Sequence, residues 1–196
     1  ADGNSLTLGV TNAGDGITAA VNATATQLKS LTITGSKNLT IVGSGVDTAL
    51  ATIDAANFTG ATLSVTGTGS TSAMTVTATG AYNATITTGT GADTISGGSG
   101  NDVLSAGDGA DSIMGGLGND TITGGIGNNV ITGGSGDDSV TGGTGDENID
   151  GGDGNREFFV QACWPDPAAV LPARQAQRLA HEADLAAKAY AKAHDY

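Results

Sequence analysis

From Thr88 to Phe159 the chain repeats every nine residues without a gap, as TGTGADTIS, GGSGNDVLS, AGDGADSIM, GGLGNDTIT, GGIGNNVIT, GGSGDDSVT, GGTGDENID and GGDGNREFF. Position eight is always large and apolar: Ile95, Leu104, Ile113, Ile122, Ile131, Val140, Ile149 and Phe158. Position six is usually Asp. Glycines suit a turn because they tolerate positive φ, and about three extended residues can follow, the middle one pointing inward. Two units then make one coil, and units i and i+2 stack on the same side about 4.8 Å apart. With only seven Phe, Trp and Tyr in 196 residues, against 33 Gly, a conventional globular core is out of reach and stacking is the remaining solution.

The repeat also carries a charge problem. Residues 88–155 hold eleven acids and no base, and residues 1–155 hold fifteen acids against Lys29 and Lys37. Such a surface repels nucleic acid and anionic lipid and attracts cations. No run of 18 apolar residues is present, so no membrane-spanning helix is expected. Cys163 is the single cysteine; it cannot form a disulfide within the chain, which leaves metal as the better candidate for a staple.

These units resemble the RTX (hemolysin-type) calcium-binding nonapeptide repeat, G-G-x-G-x-D-x-U-x, whose pattern they match over 72 of 196 residues. The resemblance implies an all-β fold, a parallel β-roll, with Ca2+ held between stacked turns by glycine-loop carbonyls and by position-six carboxylates of units i and i+2. Hard oxygen ligands in numbers of six or more are what calcium requires. Carried over residue by residue, the carbonyls come from glycines such as Gly98, Gly100, Gly116 and Gly118. The carboxylate pairs are Asp102 with Asp120 and Asp120 with Asp138 on one side, and Asp93 with Asp111 on the other. On that second side Asp111 next meets Asn129, a weakened pair, and Asn129 meets Glu147, the pair least suited to a cation. Asp138 meets Arg156, whose guanidinium should stand in for an ion and close the array. One buried aliphatic side chain per nine ordered residues is a weak driving force, so the resemblance further implies a roll that is disordered without calcium and ordered with it.

Two other signatures read as coincidence. Asp146, Asn148, Asp150, Gly151 and Glu157 satisfy the EF-hand loop pattern, but that loop needs a helix on each side and here a strand-period repeat precedes it. The G-x-G pairs lack both the third glycine of a dinucleotide fingerprint and a following G-K-[ST].

Residues 1–87 are a Thr/Ala-rich segment of period-two stretches such as SLTLGVT, LKSLTITG, NLTIVG, ATLSVTG and NATITTG. They predict short strands with one apolar face. The central apolar positions Ile53, Leu63, Met74, Ile86 and Ile95 converge on the repeat period, so an irregular parallel β-helix should run into the β-roll of residues 88–159 without a linker; an antiparallel sandwich is the alternative. The Thr-rich part resembles stretches preceding RTX repeats in bacterial surface-layer and other large surface proteins. Residues 160–196 change character, with all three prolines, the only Trp and a short helix predicted from Pro172. That tail reads as a terminal cap, a secretion signal or a foreign segment.

No nucleophile has a convincing base, so a non-enzymatic role is expected. The expectation is a calcium-folded structural module of a secreted, extracellular bacterial cell-surface protein, surface-layer or adhesin-like, with self-association or cell-surface glycan as partners and export through the secretion route typical of RTX proteins. The alternative is the C-terminal calcium-binding region of an RTX exoenzyme or toxin.

Overall fold

The computed structural model describes residues 5–10, 17–21, 28–43 and 50–153. Arg156, Phe158 and the helix predicted from Pro172 lie outside them. Within the described residues the chain forms β1 (Ser5–Val10), β2 (Ile17–Val21), β3 (Ser30–Gly35), β4 (Leu39–Gly43), β5 (Thr52–Asp54), β6 (Thr62–Thr66), β7 (Thr75–Thr77), β8 (Asn83–Thr87), β9 (Thr94–Gly98), β10 (Val103–Asp108), β11 (Ser112–Leu117), β12 (Thr121–Ile126), β13 (Val130–Ser135), β14 (Ser139–Thr144) and β15 (Asn148–Asp153). Odd-numbered strands stack in order in one sheet and even-numbered strands in the other, every pairing parallel. Each pair of consecutive strands is thus one coil of a solenoid, as the converging spacing predicts, and the antiparallel sandwich is ruled out.

The coils tighten along the chain. Leu39 pairs with Leu63, 24 residues on; Thr62 with Asn83, 21 on; Thr75 with Thr94, 19 on. From the pairing of Thr85 with Val103 onward every step is 18 residues, two nonapeptides. Parallel strands normally need long crossovers. Here the crossover is itself a strand of the facing sheet, so nine residues suffice for a turn and a strand.

Two columns of aliphatic side chains fill the space between the sheets. One runs Leu31, Ile53, Val76, Ile95, Ile113, Ile131, Ile149, and the other Ile41, Val65, Ile86, Leu104, Ile122, Val140; all are buried. Two positions chosen from the sequence need correction. Val76, not Met74, stands in the column of Ile95, and Val65, not Leu63, in that of Ile86. Because inward positions recur every second residue, each early strand offers two candidates, and side-chain size does not tell which is in register.

Candidate metal centre

The second inward position is where the two halves of the solenoid part company. Leu39, Leu63 and Ala84 form a buried apolar column on the even sheet. One coil further, the residue in register with Ala84 is Asp102, whose Oδ1 accepts the Ala84 N–H at 2.7 Å. On the odd side Met74 is followed in the same way by Asp93, whose Oδ1 accepts the Met74 N–H at 2.7 Å. Position-six residues are therefore inward residues, two before the aliphatic column, displaced to the mouth of the turn.

From these starts two ladders continue. Asp102 N–H donates to Asp120 Oδ1 at 2.8 Å and Asp120 N–H to Asp138 Oδ1 at 2.9 Å. On the other side Asp93 N–H donates to Asp111 Oδ1 at 2.7 Å, Asp111 N–H to Asn129 Oδ1 at 3.0 Å, and Asn129 N–H to Glu147 Oε2 at 3.1 Å. Asp93, Asp102, Asp111, Asp120, Asn129 and Asp138 are each at most 3% exposed, and Glu147 is half-buried.

One oxygen of each aspartate is thereby used, and the other is the chemically informative one. Oδ2 of Asp93, Asp102, Asp111 and Asp120 is buried without a hydrogen-bond partner. A buried carboxylate oxygen with nothing to compensate it is costly. Its strain shows in the acidities. Burial raises the carboxyl pKa of Asp120 to about 6, against the pull of the Asp102 N–H and with the neighbouring Asp102 and Asp138 carboxylates adding to the rise. Burial likewise raises Asp102, Asp111, Asp138 and Glu147 above the ordinary carboxylate range.

The turns around the Asp102 and Asp120 oxygens are built of backbone oxygen, with glycine at positions one, two and four. A Cβ placed on Gly97 would collide with Asp102 Oδ2 and lie 2.8 Å from the Gly115 carbonyl oxygen; Gly115 stands in the same relation to Asp120 Oδ2 and the Gly133 carbonyl. Carbonyl oxygens of Gly98 and Gly100 face the glycines stacked on them, Gly116 and Gly118, which adopt φ of +122° and +115° and would clash with those oxygens if they carried a Cβ. The four glycines thus line the turns that hold the Asp102 and Asp120 carboxylates. Among the described residues no three His, Cys, Asp or Glu side chains converge. A cation in these turns would be held by two carboxylates from successive coils and by main-chain carbonyls, an all-oxygen set of the kind that suits calcium and not zinc or copper. The residues fit the ion.

The EF-hand match is answered by geometry: Asn148–Asp153 is strand β15, paired with β13, which an EF-hand loop cannot be. Sequence reasoning also passed over a ladder on the outside of the turns. Asn83 Oδ1 accepts from Asn101 N–H at 3.0 Å, Asn101 Oδ1 from Asn119 N–H at 2.8 Å, and Asn119 Oδ1 from Asp137 N–H at 2.9 Å. Its signal was present as the recurring Asn or Asp at position five.

A sequence model of the RTX calcium-binding nonapeptide repeat (4 copies) matches residues 79–113, 87–122 and 123–156. No curated protein and no solved structure matches the chain. No helix among the described residues is long and apolar enough to cross a membrane. The nine-residue register, the two-sheet parallel roll and the paired aspartates in glycine turns therefore converge with that match, and residues 79–156 of this chain are RTX calcium-binding nonapeptide repeats.

Proposed function

We propose that this chain is a non-enzymatic structural module that folds on binding calcium, in a secreted bacterial cell-surface protein of surface-layer or adhesin-like kind. The observation that carries the reading is the set of buried, partnerless Oδ2 atoms of Asp93, Asp102, Asp111 and Asp120, stacked in glycine turns with no base nearby. A divalent cation supplies positive charge to oxygens that nothing else compensates, so its binding free energy becomes folding free energy. The non-enzymatic part of the reading is supported by the use of each carboxylate's first oxygen for a main-chain N–H of the preceding coil. Extracellular calcium at millimolar levels saturates weak sites, whereas cytosolic levels leave them empty, which suits a chain that orders only after export. The Thr-rich coils that continue directly into the repeats support a rod-like structural element, for which a second copy or a surface glycan is the natural partner.

Far-ultraviolet circular dichroism and melting of the full chain, with calcium and with EGTA, test the module. The expected result is a marked gain of strand signal and of melting temperature with calcium; a spectrum and melting temperature that EGTA leaves unchanged would sink the reading. Electron microscopy on adding calcium tests the surface-lattice part, with ordered sheets or filaments expected and dispersed single particles counting against it.

A further inference from the structure

The two rows of turns are not equivalent. On the row of Asp102, Asp120 and Asp138, position one is glycine in every turn: Gly97, Gly115 and Gly133. On the opposite row position one is Thr88, Ala106, Gly124 and Gly142, and position six changes from aspartate at Asn129. Its Oδ1 is committed to the Asp111 N–H, so its Nδ2 lies where an aspartate presents its second oxygen. The placement is direct: a Cβ on Gly124 would be 2.8 Å from Asn129 Nδ2, whereas the corresponding position in the sister turns meets Oδ2 of Asp102, Asp120 or Asp138. A donor stands where a cation needs an acceptor.

The next coil is adapted to that donor. Glu147, one methylene longer than aspartate, reaches back with both oxygens: Oε2 accepts the Asn129 N–H at 3.1 Å and Oε1 accepts the Asn129 Nδ2 at 3.4 Å. The amide that would repel a cation and the acid that would need one satisfy each other.

Resting on the calcium reading above, we infer that Asn129 and Glu147 form a metal-independent joint: the turns 124–129 and 142–147 are closed by a side-chain amide in place of an ion, and calcium in this row stops at the Asp93–Asp111 pair. The molecule thus has one row that takes ions in every described turn from Asp102 to Asp138 and one that takes them only at the Asp93–Asp111 pair. Ion-filled turns depend on the calcium concentration, whereas an amide–carboxylate joint does not.

Calcium stoichiometry of the folded full chain, by calorimetric titration and by equilibrium dialysis, reads this out. Asn129→Asp restores the second oxygen and is expected to raise the number of bound ions by one. Glu147→Gln is expected to leave the number unchanged, because Glu147 holds no ion. Asp120→Asn, in the opposite row, is expected to lower it. If Asn129→Asp gains no ion while its calcium-loaded spectrum matches the parent, or if Glu147→Gln loses one, the joint is overturned. If the parent binds no calcium and Asp120→Asn changes nothing, the calcium reading itself has failed, and the joint with it.

Discussion

The coils up to Thr87 and those after it share a register and two aliphatic columns, yet they stabilise the turns between strands in opposite ways. In the turn from β5 to β6 the wide loop is filled by Phe58, and in the turn from β7 to β8 by Tyr82. Their rings pack edge to face with centroids 5.0 Å apart, and the Tyr82 hydroxyl donates to the Ala55 carbonyl at 2.9 Å. Glycines Gly60 and Gly80 make room for the rings, since a Cβ on either would collide with them. The following turns on that row contain no such plug; Asp102, Asp120 and Asp138 occupy them. On the other row Met74, packed against Gly67, gives way to Asp93. Aromatic and thioether fillers carry their stabilisation inside the chain, whereas carboxylate turns depend on something drawn from solution. Longer coils of 21 to 24 residues are needed to hold a ring, and the tight coil of 18 is open only to turns with almost no side chain.

The largest expected effect of this division is on hydrogen exchange. With EGTA the amides of β9 to β15 should lose protection entirely, while those of β3 to β6 retain a measurable part of theirs; equal loss in both regions would erase the distinction. Next, Phe58→Ala should cost about 3–5 kcal/mol of unfolding free energy by denaturant titration in saturating calcium. Its effect should persist when the calcium concentration is varied, because the plug does not involve the ion.

Acid should act on the second region alone, and in opposite senses with and without calcium. A carboxyl whose folded pKa lies above its unfolded value binds more protons folded than unfolded in the interval between. Stability of the metal-free repeats should therefore be fully gained below about pH 4, and lost as pH rises through the folded value, about 6 for Asp120. With calcium present the dependence reverses, because protons compete with the ion for the same oxygens. Melting temperatures at pH 4.5 and 7, with and without EGTA, check the crossing. The smallest effect should come from Asn119→Ala, which removes one exposed ladder acceptor and should cost about 0.5–1 kcal/mol.

The repeat region was legible because its period is strict: position eight at nine-residue spacing fixes the aliphatic column, and position six two residues earlier must then face the same way. The ladder of Oδ1 acceptors follows from that parity but was not read from it, since hydrogen-bonding partners depend on the direction of the stacking offset. The earlier coils were legible as strands but not in register. Their lengths vary by several residues, so Met74 and Val76, both inward, could not be ranked. Phe58 and Tyr82 repeat nowhere and gave no periodic signal; only their nearness to Gly60 and Gly80 hints at a packed turn.

The carboxylate ladders have a polarity. The main-chain N–H of each of Asp93, Asp102, Asp111, Asp120 and Asn129 is served by the side chain of the coil that follows it. Shortening the array from its beginning strips a donor from an oxygen that water can serve; shortening it from its end leaves a buried amide hydrogen bereft. Such a zipper tolerates trimming at one terminus far better than at the other, and each newly added tooth completes the one already laid down.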